Sequence, residues 1–297
     1  MKPITIGSIV AGLAICLALM VSTALGQTPP PKPFIVFDGT LHSNKPDLSV
    51  FGIMPITIEY NFAPINQTNG LPFVETVQAM AREAQQKGDV VVLDIESWPL
   101  TGPANLVRDS LTKYITVLKW FQEAAPGLSV GYYGAPPIRD YWRAIKNASS
   151  QERQSWMAEN DQLRSLASAV DIFYPSLYTF YPDQVGWKKY AIAQIVEARR
   201  YAGGKPVYVF LWPQYHDSNN TLGGTYLPTD YWLFELETAR QYADGIVIWG
   251  GWDLKLNKRM IWDDSAPWWG RTKEFLATLP LSRPSPPNAP PASLSVQ

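Results

Sequence analysis

Strand-like and helix-like runs alternate along most of this chain. Seven apolar runs, most of them about 35–40 residues apart, have the β-branched and aromatic composition of strands. They are residues 34–37, 56–60, 90–94, 128–133, 170–174, 207–212 and 245–249. Helical patterns occupy residues 74–87, 104–125, 184–202 and 230–242, the last after a Thr229 cap. Such alternation produces βα units and therefore a parallel sheet.

The number of strands favours a closed barrel over an open sheet. A dinucleotide-binding sheet would need a glycine-rich turn after an early strand, and the sequence has none. We therefore predict an α/β fold, a distorted (β/α) barrel of the TIM type with about seven parallel strands. In such barrels the chemistry lies at the carboxyl ends of the strands, so those ends supply the candidate functional residues.

Both ends of the chain differ in composition from this core. Residues 1–26 have the charge, apolar run and small residues of a secretory signal, which predicts a secreted or periplasmic protein. An uncleaved membrane anchor is the alternative, because the apolar run approaches the length of a bilayer span. Residues 27–33 form a Pro-rich linker and residues 283–297 a Pro-rich tail that we expect to be disordered. Residues 34–282 remain as a single barrel domain.

Composition excludes several classes of function. Cys16 is the only cysteine and lies in the signal, so the mature chain has no disulfide, as in many exported bacterial enzymes. Without Lys2, the chain has 24 basic and 26 acidic residues. It has no cluster of basic residues of the kind that would predict nucleic-acid binding. His42 and His216 are the only histidines, which disfavours a histidine metal cluster and a Ser-His-Asp triad. We expect a monomer without metal or cofactor.

Two carboxylates follow the most apolar run. Residues 90–93 (VVVL) are typical of a strand buried on both faces, and Asp94-Ile95-Glu96 comes next. Side chains at i and i+2 of a strand point to the same side, so Asp94 and Glu96 are expected side by side. Neighbouring carboxylates repel each other, which raises the pKa of one of them. The pair is the candidate acid/base site; the alternative is that Asp94 begins a turn and Glu96 is solvated.

Aromatic residues stand at the ends of the other strands. The chain has 12 Trp and 15 Tyr, and sugars present flat C–H faces to such rings. The candidate substrate-binding residues are Tyr133, Tyr178, Tyr215, Trp249 and Trp252, together with Trp98 beside the carboxylates. Rings for stacking, hydroxyls for hydrogen bonding and an acid together predict a cleft for a sugar polymer. For each ring taken alone, a place in the core is the alternative.

Four short motifs extend this prediction. They are residues 92–98 (VLDIESW), 131–136 (GYYGAP), 174–178 (YPSLY) and 245–252 (GIVIWGGW). In residue pattern, order and approximate spacing they resemble the hyaluronidase family of glycoside hydrolases, over residues 34–279. The resemblance implies a distorted barrel of seven strands, in agreement with the strand count.

The resemblance also implies a mechanism, the substrate-assisted hydrolysis of a β-linked N-acetylhexosamine in a polysaccharide. Glu96 would be the general acid and later the general base, and a raised pKa would keep it protonated. Asp94 would bind the substrate acetamide N–H and stabilise its developing charge. Tyr178 would position the acetamide, Tyr133 would support the acid or the reacting sugar, and Trp249 would enclose the N-acetyl methyl group.

The chain departs from the family pattern in ways that concern the substrate. Pro99-Leu100 follows Trp98 where the family usually has Arg-Pro, and the family's disulfides are missing. The motifs supply no basic residue for the carboxylates of hyaluronan. The expected substrate is therefore a glycan that contains N-acetylhexosamine, with hyaluronan, chondroitin-like chains, peptidoglycan, chitin-like chains and exopolysaccharides all open.

Two other functions remain open from the sequence. One is a glycan-binding barrel without catalysis, and the other is a two-carboxylate glycosidase in which Glu96 pairs with a distant acid. Asp217 and Asp253 are the candidate partners, and a helix cap or a loop-closing turn is the structural alternative for both.

Overall fold

A ring of parallel main-chain segments forms the centre of the molecule. The structure is a computed structural model that describes residues 33–280. Its strands are β1 (Ile35–Thr40), β2 (Met54–Pro55), β3 (Thr57–Glu59), β4 (Val90–Leu93), β5 (Ser129–Tyr132), β6 (Tyr208–Leu211), β7 (Gly245–Gly250), β8 (Trp252–Asp253) and β9 (Lys258–Arg259). The predicted signal, all of the linker except its last residue, and the tail lie outside the described residues.

Two parallel sheets make up most of the ring. One has the strand order β2-β1-β7-β6 and the other β3-β4-β5. On one side the sheets are joined through Ile56, the single residue between β2 and β3. On the other side, residues 171–176 lie between β5 and β6. The Asp171 N–H donates to the Val130 carbonyl (2.8 Å) and the Tyr208 N–H to the Phe173 carbonyl (2.9 Å). The ring therefore closes with seven segments.

The fifth segment of the ring is not a regular strand, and the prediction of a strand at residues 170–174 is wrong in this respect. Only isolated bridges join it to its neighbours, such as Tyr133 with Tyr174 and Phe173 with Val207. Proline explains the interruption, because Pro175 and Pro206 have no N–H to donate to a ladder. The segment nevertheless takes the place in the ring that the sequence predicts.

Within residues 33–280, eight α-helices cover the ring. They are α1 (Val74–Gln85), α2 (Ala104–Ala124), α3 (Tyr141–Ala144), α4 (Gln151–Asp161), α5 (Arg164–Ala169), α6 (Gln184–Ala202), α7 (Thr229–Tyr242) and α8 (Pro267–Ala277). The four predicted helices correspond to α1, α2, α6 and α7, and Thr229 is the first residue of α7 rather than its cap. No helix among residues 33–280 is long and apolar enough to cross a membrane.

The apolar side chains form two layers because the central strands β4, β5, β6 and β7 are buried on both faces. Val92, Ile172, Phe210 and Val247 belong to the layer inside the ring. The larger outer layer lies between the strands and the helices, where α2 contributes an apolar stripe. The inner layer fills the barrel below its mouth, as side chains do in other barrels of this type.

Candidate active site

Asp94 and Glu96 leave β4 on the side of the barrel mouth. Asp94 follows the last strand residue, and its N–H donates to the Glu59 carbonyl (2.9 Å), which extends the ladder by one residue. Ile95 is buried in the outer layer, as are Val91 and Leu93. Since side chains alternate along extended backbone, the two carboxylates face inward, as the sequence predicts.

The two carboxylates lie at different depths. Asp94 is half-buried, whereas the Glu96 side chain is 59% exposed. The pKa of Asp94 is raised to about 7, chiefly by burial and in addition by the negative charge of Glu96, while the positive charge of Arg139 opposes both. Burial, rather than the neighbouring charge, is the main cause of the raised pKa of Asp94. Asp94 accordingly carries a proton over part of the neutral pH range.

Tyr114 of α2 supports the segment that carries Glu96. Its hydroxyl oxygen lies 2.7 Å from the Ile95 carbonyl oxygen and 3.2 Å from that of Trp98, so its single hydrogen is shared between them. The Trp98 ring packs edge-on against the Tyr114 ring, with 5.1 Å between centroids. Because Tyr114 is buried in the outer layer, the carboxylate segment rests on the helix layer. The sequence pattern predicted Tyr114 only as part of a helix.

Arg139 faces Glu96 from the loop after β5. Its Nη2 atom lies 3.7 Å from Oε2 of Glu96, and its side chain is 35% exposed. The two residues line one groove of about 240 Å³ together with Trp98, Tyr114 and Tyr133, and we call this the Glu96 groove. The motifs placed no basic residue near the carboxylates, and no sequence signal distinguishes Arg139 from other surface arginines.

Five aromatic rings fill the centre of the mouth, and we call them the mouth cluster. Its members are Tyr60, Tyr133, Tyr178, Trp212 and Trp249. The Tyr178 ring lies centrally, with centroid distances of 5.8 Å to Tyr133, 5.5 Å to Trp212 and 5.7 Å to Trp249. Trp249 Nε1 donates to the Tyr60 hydroxyl (3.0 Å). Of the predicted residues, Tyr133, Tyr178 and Trp249 are thus brought together.

The tyrosines of the mouth cluster are neutral hydrogen-bonding groups. Burial raises the pKa of Tyr133 to about 12 and that of Tyr178 well above its usual value. The Tyr133 hydroxyl lies 3.0 Å from the Ser176 hydroxyl, which orients it. Phenols that stay protonated serve as donors to a bound sugar or an amide carbonyl.

Two predicted substrate-binding residues lie elsewhere. Tyr215 is buried in the outer layer near Tyr231 of α7, with 6.5 Å between ring centroids, and the prediction that it lines the cleft is wrong. Backbone alternation explains this, since Gln214 turns toward the Trp212 indole and its neighbour therefore turns toward the helices. Trp252 starts the β8–β9 hairpin and is half-buried outside the mouth cluster.

The two histidines lie apart from the carboxylates. His42 packs against the Trp262 ring, with 5.3 Å between centroids, and His216 Nδ1 lies 3.0 Å from Oδ1 of Asp217. Asp253 caps its own turn by accepting from the Lys255 N–H, which is the structural alternative stated for it above. Among residues 33–280, no group of three or more His, Cys, Asp or Glu side chains is arranged to hold a metal ion.

Comparison with solved structures gives the fold a wider context. No family model matches the chain, and no curated protein sequence matches it. The fold is similar to bee venom hyaluronidase in complex with a hyaluronic acid tetramer, at 16% identity and a TM-score of 0.58, covering 83% of this chain and 97% of that one. A monoclinic crystal form of bee venom hyaluronidase gives 18% identity and a TM-score of 0.55, covering 73% and 91%. The predicted distorted TIM-type barrel is confirmed.

Proposed function

We propose that this protein is an exported endo-glycosidase that hydrolyses β-linked N-acetylhexosamine bonds in a polysaccharide. One observation carries the proposal: Asp94 lies within electrostatic reach of Tyr60 and Tyr178 in the mouth cluster, and Glu96 lines a groove next to it. The four motifs that resemble the hyaluronidase family supply its finer part, the substrate class and the role of the acetamide.

Glu96 is the general acid in this proposal. Its exposed carboxyl group lines the Glu96 groove, where a glycosidic oxygen has direct access to it. As the bond from the anomeric carbon to that oxygen breaks, Glu96 gives its proton to the leaving oxygen. The acetamide carbonyl oxygen of the substrate forms the new bond to the anomeric carbon. Water then attacks this carbon and returns a proton to Glu96, while the acetamide is released.

Asp94 is the residue that stabilises charge on the acetamide. Its half-buried position puts it below Glu96 and within electrostatic reach of both Glu96 and Tyr178. The acetamide N–H becomes more acidic as its carbonyl oxygen attacks, so a carboxylate partner strengthens in the transition state. An N–H donor favours the ionised form of Asp94, so binding of the acetamide lowers the pKa of this carboxyl and opposes the effect of burial.

The mouth cluster would hold the reacting sugar. Tyr178 lies within 5.8 Å of Tyr133 and Trp249, measured between ring centroids, so an acetamide bound there meets donors and apolar ring faces together. Tyr178 donates to the acetamide carbonyl, Trp249 packs on its methyl group, and Tyr133 supports the sugar next to Glu96. Fixing the acetamide in this way replaces a protein nucleophile with one already attached to the substrate.

A substrate screen tests the proposal. Purified mature protein is incubated with hyaluronan, chondroitin, chitin oligomers and peptidoglycan, and new reducing ends are measured. Glu96→Gln should lower turnover by about 10²–10⁴-fold, the usual contribution of a general acid. Glu123→Gln is the matched control, because Glu123 is exposed at the other end of the barrel on α2. Undiminished turnover in Glu96→Gln, with circular dichroism unchanged, would refute the assignment.

The same screen separates catalysis from binding alone. A glycan-binding barrel without catalysis would bind one of these polymers at saturation and release no reducing ends after long incubation. An enzyme of the proposed kind would release reducing ends at a rate that depends on Glu96.

A further inference from the structure

A second groove lies on the far side of the mouth cluster from Glu96. It has a volume of about 280 Å³ and runs between the β8–β9 hairpin and the loop after β6. Trp212, Gln214 and Asp217 line it from the loop, and Trp252 and Lys255 line it from the hairpin. We call it the hairpin groove.

Ring order places the two grooves on opposite sides of the barrel mouth. The Glu96 groove belongs to the loops after β4 and β5, and the hairpin groove to the loops after β6 and β7. The rings between them are continuous: Tyr133 lines the first groove, Tyr178 contacts both Tyr133 and Trp212, and Trp212 lines the second groove. A polymer that crosses the mouth therefore passes from one groove to the other over aromatic faces.

The floor of the hairpin groove is held in place before any ligand binds. Trp212 is buried, its indole Nε1 donates to Gln214 Oε1 (2.8 Å), and the Gln214 amide donates in turn to the Gly224 carbonyl. The Trp212 ring also packs edge-on against Trp249, with 4.9 Å between centroids. Because these side chains are already ordered, a ligand that binds here loses less conformational entropy in the protein, as in other preorganised binding sites.

The lining of the hairpin groove fits uncharged sugars. Trp252 is half-buried and offers apolar ring surface, and Gln214 and Asp217 offer hydroxyl partners. The carboxylates of Asp217 and Asp253 outnumber the single cation, Lys255, among the lining residues. An acidic sugar would meet like charge here, whereas Arg139 offers a positive charge in the Glu96 groove.

We propose that the hairpin groove is a second glycan-binding subsite that holds uncharged sugar units of a chain whose scissile bond lies at Glu96. The inference rests on the proposed function for the position of the scissile bond. The subsite itself is defined by its own residues, and its occupancy depends on chain length, because only a long oligosaccharide reaches both grooves.

Calorimetry with the Glu96→Gln protein tests the subsite without any cleavage. The probes are the tetramer and the hexamer of β-1,4-linked N-acetylglucosamine and the corresponding hyaluronan oligomers. We expect the N-acetylglucosamine hexamer to bind more tightly than the tetramer. Trp252→Ala should remove this gain, by about tenfold in Kd, the typical loss for a buried aromatic contact. Trp142→Ala is the control, because Trp142 is exposed and lines neither groove.

Charge selectivity gives a second measurement. The protein with an intact hairpin groove should bind the N-acetylglucosamine hexamer more tightly than the hyaluronan hexamer. Asp217→Asn removes a negative charge and should reduce this difference in affinity. Equal affinity for tetramer and hexamer, no binding of either, or an unchanged length effect in Trp252→Ala would overturn the subsite. Length-dependent binding that needs Trp252, combined with no reducing ends from any polymer, would support the subsite and refute the proposed catalysis.

Discussion

Arg139 Nη2 lies 3.7 Å from Glu96 Oε2, and among residues 33–280 the Arg139 guanidinium donates no other close polar contact. The distance is longer than a hydrogen bond, so the pair is held by charge rather than by fixed geometry. The charge of this guanidinium also affects the protonation of Asp94. It lowers the pKa of Asp94 in opposition to burial and to Glu96.

Removal of the Arg139 charge should shift the pH dependence of activity. Without the guanidinium, the pKa of Asp94 rises further above about 7, because the one opposing charge is gone. Asp94 then becomes a carboxylate partner for the acetamide only at higher pH, so the acidic limb of kcat/KM moves to higher pH in Arg139→Ala. Arg139→Lys keeps the charge and should leave the limb near its original pH. Arg108→Ala, at an exposed position on α2, serves as the control; a limb unmoved in Arg139→Ala would contradict the prediction.

Asp94→Asn should separate catalysis from stability. We expect kcat to fall by about 10²-fold or more, because the transition state loses a charged partner. Stability should move the other way: a carboxyl whose folded pKa is about 7 destabilises the fold progressively as pH rises from about 4 to 7. The variant should therefore melt above the parent protein at pH 8 and together with it at pH 3. Identical melting differences at both pH values would exclude a raised pKa.

Glu235 on α7 offers a similar measurement outside the mouth. Its carboxyl is fully buried, the Thr179 hydroxyl donates to Oε1, and Oε2 has no partner among the described residues. Burial raises the pKa of Glu235 well above its usual value. The free energy of unfolding therefore falls as pH rises above the usual carboxyl pKa, because the unfolded chain ionises there and the folded one does not. Glu235→Gln keeps the Thr179 contact and should melt higher at pH 8 by several degrees, since about 1 kcal/mol corresponds to about 2–4 °C in a chain of this size.

The Glu235 prediction also has a matched control. Glu237→Gln, two residues further along α7, changes a partly exposed carboxylate that pairs with Arg240. It should leave the melting temperature nearly unchanged at pH 8 and at pH 4. A Glu235→Gln protein that melts below the parent protein at pH 8 would show that the buried carboxyl is ionised.

Tyr60→Phe should weaken substrate binding through Trp249. The substitution removes the acceptor for the Trp249 indole N–H and leaves the ring of residue 60 in place. A lost hydrogen bond of this kind costs about 1 kcal/mol, so KM should rise by about fivefold with kcat less affected. Steady-state kinetics on the polymer identified by the substrate screen measures both constants. Tyr242→Phe, at the end of α7, is the control, and a change confined to kcat would contradict a positioning role.

The features that could be predicted from sequence are those determined by local burial. The apolar run before Asp94 identifies β4, and alternation along extended backbone places Asp94 and Glu96 on one side. The same alternation, counted from Trp212, places Tyr215 on the side of the helices. The sequence does not show this, because aromatic residues occur on both faces of the segment and do not reveal which face is inside. Sequence reasoning therefore grouped Tyr215 with the cleft incorrectly.

Other features depend on contacts between segments that are distant in the chain. Arg139 reaches Glu96, and Tyr60 reaches Trp249 across 189 positions, only because the ring closes with its particular register. α4 has few apolar residues, so its sequence carries little helical periodicity, and α3 and α5 are too short to show any. Residues 170–174 have the composition of a strand but form only isolated bridges, because the neighbouring prolines Pro175 and Pro206 have no N–H to donate.

The closure of the ring has a consequence for engineering. A Cβ atom at Gly131 in β5 would overlap the carbonyl oxygen of Ile172, so the two backbones touch where no side chain intervenes. Tyr133 and Tyr178 extend from these two backbones toward the same mouth. A loop grafted from another barrel would be shaped for a different distance to its neighbouring loop and would not fit here. To change specificity at this mouth, both loops should therefore be exchanged together.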